Sequence, residues 1–295
     1  MIDQKLLADV LGITFPTPRP FGGVGDIHSH HMSGLLSFAI APEYLPQLNE
    51  NANIAGAFVS PENAARLSDS KIAVVVEDPK WAFFTLVDHI ARHMVPQVPT
   101  QIASTAQIDP SAMIDKTNVT IADNVVIEPG VVIRSGTHIG EGAVIRPGAV
   151  LGVDGFQQQR TSKGIISVAH DGVLMVGKNV EIGPNNLLSK GFSYRPTIVG
   201  DNCKFDALVY YSHATQCGQG CFFGASAMVS GHVVIGENTT IGPGSNVSNR
   251  LKIGDNAWIT IGAVVVQDVP DGERVTGNFA IPHARFIENL KKSVE

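Results

Sequence analysis

From Val199 to Val269 an apolar or bulky residue recurs at every sixth position: Val199, Phe205, Tyr211, Cys217, Phe223, Val229, Ile235, Ile241, Val247, Ile253, Ile259 and Val265. Four residues after each stands a second small or apolar one, from Cys203, Val209 and Thr215 through Cys221 and Ala227 to Ala263 and Val269. A period of six fits neither a helix at 3.6 nor a plain strand at 2. It fits a prism of short strands that turn every six residues. Two side chains of each six then point into the bore, and small residues stand where the backbone bends.

The rest of the chain divides around this run. Residues 1–97 show no such period. Leu6 to Leu11 reads as a short helix, and Ile54 to Val59 and Ile72 to Val76 read as buried strands. A helical pattern follows each strand (Pro61 to Leu67, then Lys80 to Met94), which predicts a small α/β domain. The Pro-punctuated stretch from Val95 to Thr100 reads as a linker. Repeats begin at Ile102, Ile108 and Ile114, slip by one residue, and continue through Ile121, Ile127, Ile133, Ile139 and Ile145 to Leu151. Gly152 to Gly177 breaks the period and predicts a loop or hairpin leaving the solenoid, the kind of place where binding residues sit. Repeats return at Val176, Ile182 and Leu188, and lapse again from Ser189 to Ile198. After Pro282 a short helix is expected, with Arg285, Lys291 and Lys292 on its polar side. The division is therefore 1–97 for the α/β domain, 98–270 for the solenoid with its loop at 152–175, and 271–295 for the tail.

Hexapeptides in this arrangement resemble those of the left-handed parallel β-helix, with three hexapeptides per coil. The hand departs from the right-handed crossover rule and comes from the resemblance alone. Residues eighteen apart then lie above one another, separated by a strand spacing of about 4.8 Å.

Composition narrows the function. A net charge of −6 with 16% charged residues lacks the basic face a general nucleic-acid binder needs. The opening MIDQKLLADVLG has neither a basic n-region nor an apolar h-region, and no apolar run approaches the ~18 residues of a membrane span. A soluble, cytoplasmic protein is expected. Three cysteines, an odd number, suit a reducing compartment. All three fall on inward positions, where buried thiols act as small apolar filler, with a metal pair or a redox switch as the alternatives. His28, His30 and His31 crowd one segment, but only Asp26 adds a further ligand type nearby, so no metal site is assigned. A zinc hydratase built on the same solenoid needs two His five apart, and Gly218 stands five after His213.

Three N-terminal stretches, Gly34 to Leu48, Ala55 to Leu67 and Asp78 to Ile90, resemble the nucleotide-recognition domain of the UDP-3-O-acylglucosamine N-acyltransferases, enzymes of lipid A synthesis. The resemblance implies that Phe38 and Tyr44 hold a uracil ring, a use suited to stacking. The family's Asn between them is Ala41 here, and its Lys before the Tyr is Glu43. Gly152, Asp154, Gly155 and Phe156 fit the family's Gly-x-Asp-Gly-Phe at the loop and make Asp154 and Phe156 substrate-binding candidates. Lys204 to Gly220 resembles its catalytic segment, with Asp206 and His213 as the Asp–His pair and Ala207 in place of an Asn. Acyl transfer from a thioester to a sugar amine needs a base for the amine and a donor for the oxyanion. An imidazole with a pKa near 6.5 serves the first, with Asp206 to orient it. Eighteen residues on, the Gly231 N–H serves the second, and Asn249 completes the column one coil further. His232, beside that column, matches a Gly-His pair that in the family lies one coil later.

The resemblance implies an N-acyltransferase using acyl carrier protein or coenzyme A thioesters and a UDP-linked amino sugar. It also implies a homotrimer, with no permanently bound cofactor. The closing stretch Ile253 to Lys292 looks more like sugar acetyltransferases that use acetyl-CoA. An acetyl-CoA-dependent sugar N-acetyltransferase is thus the alternative enzyme, and a non-catalytic solenoid scaffold the alternative without chemistry.

Overall fold

The structure, a computed structural model, describes residues 1–14, 20–277 and 280–294. Helix α1 (Gln4–Leu11) starts where the Asp3 carboxylate accepts the Leu6 N–H at 2.9 Å, and ends at Gly12 with φ 69°, the left-handed C-terminal stop that glycine permits. Four parallel strands follow in the sheet order β1 (Gly23–Val24), β2 (Leu35–Phe38), β3 (Ile54–Val59) and β4 (Ile72–Val75). The crossovers hold α2 (Leu45–Glu50) and α3 (Pro61–Ala64). Helix α4 (Pro79–His93) then covers the sheet, N-capped by Asp78, which accepts the Trp81 N–H at 2.8 Å. The strands β3 and β4 and the helix α4 fall where the apolar pattern puts them. The short strands β1 and β2 have no period of their own; β2 forms against β3, and β1 against β2.

The repeats build a left-handed parallel β-helix whose three faces carry eight, eight and nine parallel strands. Partners along the regular run are eighteen residues apart, as in Phe205↔Phe223↔Ile241 and Tyr211↔Val229↔Val247. The first inward series is buried in one continuous apolar core, which the second joins except at the buried polar Thr215, Thr239 and Ser245 and the half-buried Leu251. Ile102, in the first rung, is 46% exposed, because nothing stacks beneath it. At the other end the rung Arg274–Val275 pairs with Trp258–Ile259, so the solenoid runs past the expected boundary at 270. Helix α5 (His283–Val294) ends the described chain. No described helix is long and apolar enough to cross a membrane.

The bore also explains the cysteines. Cys203 and Cys221 donate S–H to the Gly218 and Gly236 carbonyls at 3.2 and 3.0 Å. Thr215 and Thr239 make the same bond, to the carbonyls of Ser230 and Gly254. Each thiol thus takes the place of a hydroxyl in a regular ladder. Cys203, Cys217 and Cys221 are free, and their sulfurs lie within 4.8 Å of one another.

The interruption after Leu151 is the expected hairpin, Gln158–Thr161 against Gly164–Ser167. It folds back onto α4. Asp78 accepts the Ser162 N–H at 2.7 Å, Asp88 accepts the Ala169 N–H at 2.8 Å, and Lys163 Nζ lies 3.3 Å above the Trp81 ring. Val168, Phe192, Tyr194 and Ala214 share one apolar core with Phe58 and Phe83 of the α/β domain. That domain is therefore fixed against the solenoid beside His213.

Candidate active site

His213 stands at a corner of the prism, just after the inward Tyr211, and is 7% exposed. Two glycines flank its ring. A Cβ on Gly231, one coil above, would lie 2.8 Å from Nε2, and a Cβ on Gly155, in the hairpin loop, would lie 2.3 Å from Nδ1. Any side chain at either place would strike the imidazole. The expected column is present: His213, Gly231 and Asn249 are stacked by the register and all line one cavity of about 700 Å³. Among the described residues the Gly231 N–H donates to no protein acceptor, whereas the His232 N–H donates to the His213 carbonyl at 3.0 Å. The Gly231 amide is thus free to serve a ligand.

The cavity runs from this column to the α/β domain. Phe38, Tyr44 and Phe84 line its far end, and Phe156 and Gln157 its side. Phe38 stacks on Phe83 at 4.4 Å and meets Phe84 edge-on at 5.4 Å, which holds its ring rigidly. Tyr44 is 39% exposed and Phe156 79%, apolar surface presented to the cavity.

Asp206 and Asp154 do not sit where the sequence puts them. Asp206 accepts the N–H of its neighbour Ala207 at 2.7 Å and makes no hydrogen bond to His213 within this chain. Seven residues exceed one side of the prism, so the two stand at different corners. Ser212 Oγ lies 3.2 Å from His213 Nδ1 instead, and Tyr210 Oη lies 3.3 Å from Ser212 Oγ. Asp154 is not part of the cavity lining. It pairs at 3.4 Å with Lys190, whose side chain is only 18% exposed, and a cation so covered needs a counter-charge.

Sequence reasoning missed most of the surroundings of His213. His170, 2% exposed, accepts the Gly155 N–H on Nε2 at 3.2 Å and stacks on Phe192 at 4.4 Å. Its ring and that of His232 lie 5.2 and 5.4 Å from His213, both edge-on. Phe192 and Tyr194, stacked at 5.1 Å, wall the group from behind. Arg195 ties the wall to the corner, donating to the Ala214 carbonyl at 3.1 Å. Only the lapse of the repeat at 152–177 and 189–198 hints that these segments leave the prism to cover something.

Burial sets the charge. Desolvation, and then the nearby Arg250 cation, push His213 down to about 4. Desolvation first, then neighbouring cations and imidazoles, take His232 to about 3. His170 goes to about 4, mainly by desolvation. All three are neutral at pH 7, and the lone pair of His170 is engaged by the Gly155 N–H. His213 is thus a weaker base than the 6.5 expected for a solvated imidazole.

Of the three crowded histidines, only His28 lines this cavity. His30 Nδ1 is 3.2 Å from Asn53 Nδ2. Among the described residues, Cys203, Cys217 and Cys221 form the only group of three ligand-type side chains close enough to share an ion.

Comparison with known proteins accords with the architecture. Residues 118–152 and 214–249 match the bacterial transferase hexapeptide family (six repeats). A UDP-3-O-acylglucosamine N-acyltransferase of Rickettsia conorii is 39% identical over 67 residues, 22% of this chain and 19% of that protein. One from Dechloromonas aromatica is 35% identical over 63 residues, 21% of this chain and 18% of its own length. The chain thus spans about a fifth of the length of the curated relatives it matches. The solved UDP-N-acetylglucosamine acyltransferase of Campylobacter jejuni superposes with a TM-score of 0.53 at 21% identity, over 66% of this chain and 81% of that one. At that identity the likeness is one of fold.

Proposed function

We propose that this chain, a hexapeptide-repeat protein of the bacterial transferase type, is an acyltransferase that moves an acyl group from a thioester to the amine of a UDP-linked amino sugar. One observation carries the reading. A single cavity joins a neutral imidazole, a free backbone N–H beside it, and an aromatic end that suits a base. In this reading the uracil stacks at Phe38 and Tyr44, worth about 1–3 kcal/mol. Phe156, His232 and Asn249 hold the rest of the two substrates.

The chemistry follows from the corner. With Nδ1–H donating to Ser212 Oγ, one of the two directions that contact allows, Nε2 of His213 is left as the base. As the amine nitrogen attacks the thioester carbon, Nε2 takes its proton and the carbonyl electrons move onto oxygen. The Gly231 N–H donates to that oxyanion. Collapse expels the thiolate, which recovers the proton from the imidazolium. Ser212 takes the orienting part expected of Asp206. Acyl carrier protein or coenzyme A supplies the thioester, no resident cofactor enters, and the working form is a homotrimer, with neighbours completing the cleft's outer side.

The test is a mass-spectrometric assay of the purified chain with UDP-linked 2-amino sugars, each offered acyl carrier protein thioesters and acyl-CoA thioesters. N-acylated product with either donor supports the reading, and the preferred donor separates the long-chain enzyme from the acetyltransferase. No product from any pair would leave the solenoid a scaffold.

A further inference from the structure

From Asn118 onward most corners of the solenoid turn through a left-handed residue. Among the described residues twelve other than glycine adopt a positive φ, and seven are asparagine, which with aspartate tolerates this conformation best among residues that carry a Cβ. The other five are Leu208, Ala214, Ser226, His232 and Arg250. Ala214, His232 and Arg250 are eighteen apart and form one column, directly beside His213, Gly231 and Asn249. Leu208 and Ser226, also eighteen apart, form a second such column at another corner, and the column that faces the cavity holds the other three. Strain retained beside a cavity points to function there.

Within that column the three residues differ. Ala214 is buried and His232 packs against His213. Arg250 has φ 64°, is exposed, and lines the cavity. Among the described residues no carboxylate lies within ion-pair distance of its guanidinium. The nearby Arg195 is otherwise engaged, donating to the Ala214 and His232 carbonyls. Arg250 is felt at the base, since its charge disfavours protonation of both His213 and His232. An unpaired guanidinium over a cavity, on a backbone that disfavours it, calls for an anionic ligand. Its planar fork matches phosphate oxygens two at a time.

We infer that Arg250 is a phosphate-binding residue of this cavity, gripping either the diphosphate of a nucleotide sugar or the phosphate of a phosphopantetheine arm beside His213. The choice between those two sources rests on the reading proposed above, while the phosphate site itself does not.

Calorimetric titration of the full chain with UDP, phosphopantetheine and pyrophosphate, each against wild type, Arg250→Asn and Arg250→Lys, tests this. Arg250→Asn should weaken one probe by about 10- to 100-fold, the loss of a charge-assisted pair, with Arg250→Lys between. Loss for UDP assigns the diphosphate, and loss for phosphopantetheine assigns the donor arm. The same Arg250→Asn chain should melt about 2 °C higher, since Asn relieves the corner. Unchanged binding of every probe by Arg250→Asn overturns the inference, and so does weaker binding accompanied by a lower melting temperature. Wild type that binds pyrophosphate through Arg250 but neither of the other probes keeps the phosphate site and removes the nucleotide-sugar reading.

Discussion

Two buried aromatic clusters sit at the same height on the solenoid, one inside the bore and one outside it. Inside, Phe205 stacks on Phe223 at 4.2 Å, and Tyr211 meets both edge-on at 5.7 and 5.6 Å. The one polar atom there is satisfied, as the Tyr211 hydroxyl donates to the Ile198 carbonyl at 2.8 Å. Outside, His170, His213, His232, Phe192 and Tyr194 pack as closely but bury two imidazoles, His170 and His213, and half-bury a third, His232. The inner cluster removes carbon from water and stabilises the fold. The outer one holds titratable groups in their uncharged form against their solution preference. Aromatic packing serves stability in the first and holds imidazoles neutral in the second.

The largest separation between them is kinetic. His213→Ala should lower turnover by about 10²- to 10⁴-fold and leave circular dichroism unchanged. Phe223→Ala should do the reverse, losing about 3–5 kcal/mol of stability with kcat per folded molecule near wild type. Chemical denaturation and steady-state kinetics on both variants check this. Equal loss of turnover in the two would erase the distinction.

Acid separates them next. The outer imidazoles have folded values of about 4, 4 and 3 against 6.5 for a free side chain. Between pH 6.5 and 4 the unfolded chain therefore binds protons that the folded chain does not. Stability is full above pH 6.5 and falls as pH drops toward 4, by about 1.4 kcal/mol per unit for each group at most. Thermal melts from pH 7 to 4.5 should show a steep fall, and His170→Phe, which keeps the stack on Phe192, should flatten it. The acid limb of kcat/KM should appear near 4 or be pre-empted by unfolding.

The two clusters also differ in how far the sequence reveals them. Phe205, Tyr211 and Phe223 lie on a six-residue period that any reader can count, and register fixes their stacking. His213 and Gly231 were legible for the same reason, since eighteen residues make one coil. The outer cluster joins a hairpin residue, a loop after residue 189 and two corners, and no local period relates them. The pairing of Asp206 with His213 failed because separation along the chain ignores which corner a residue occupies. Asp154 failed because the need of Lys190 for a counter-charge is invisible until the loop folds. Of the α/β domain, β3, β4 and α4 were legible from apolar runs and caps, whereas β1 and β2 depend on neighbours.

A smaller effect tests the hairpin's grip on the corner. Gly155→Ala places a methyl 2.3 Å from the unmodified position of His213 Nδ1, so the loop must lift or the ring must turn. Turnover should fall by about 10-fold, with the melting temperature lowered by a few degrees. The same change at Gly164, where φ is 101° and no atom lies within 4 Å, strains the backbone without touching the ring, and should lower stability alone.

The smallest effect concerns Ser212. Its hydroxyl is the only side-chain partner of His213 Nδ1 among the described residues, and a neutral hydrogen bond is worth about 0.5–1.5 kcal/mol. If it fixes the tautomer that leaves Nε2 as base, Ser212→Ala should lower kcat by about 3- to 10-fold with little change in KM, and Ser212→Thr should restore most of it. The nitrogen-15 shifts of His213 give a readout that mere packing would not move, because loss of the hydroxyl should mix the two tautomers at pH 7. An unchanged tautomer with reduced turnover would assign Ser212 to the substrate instead, and would locate the orientation of the base in the two glycines that clamp its ring.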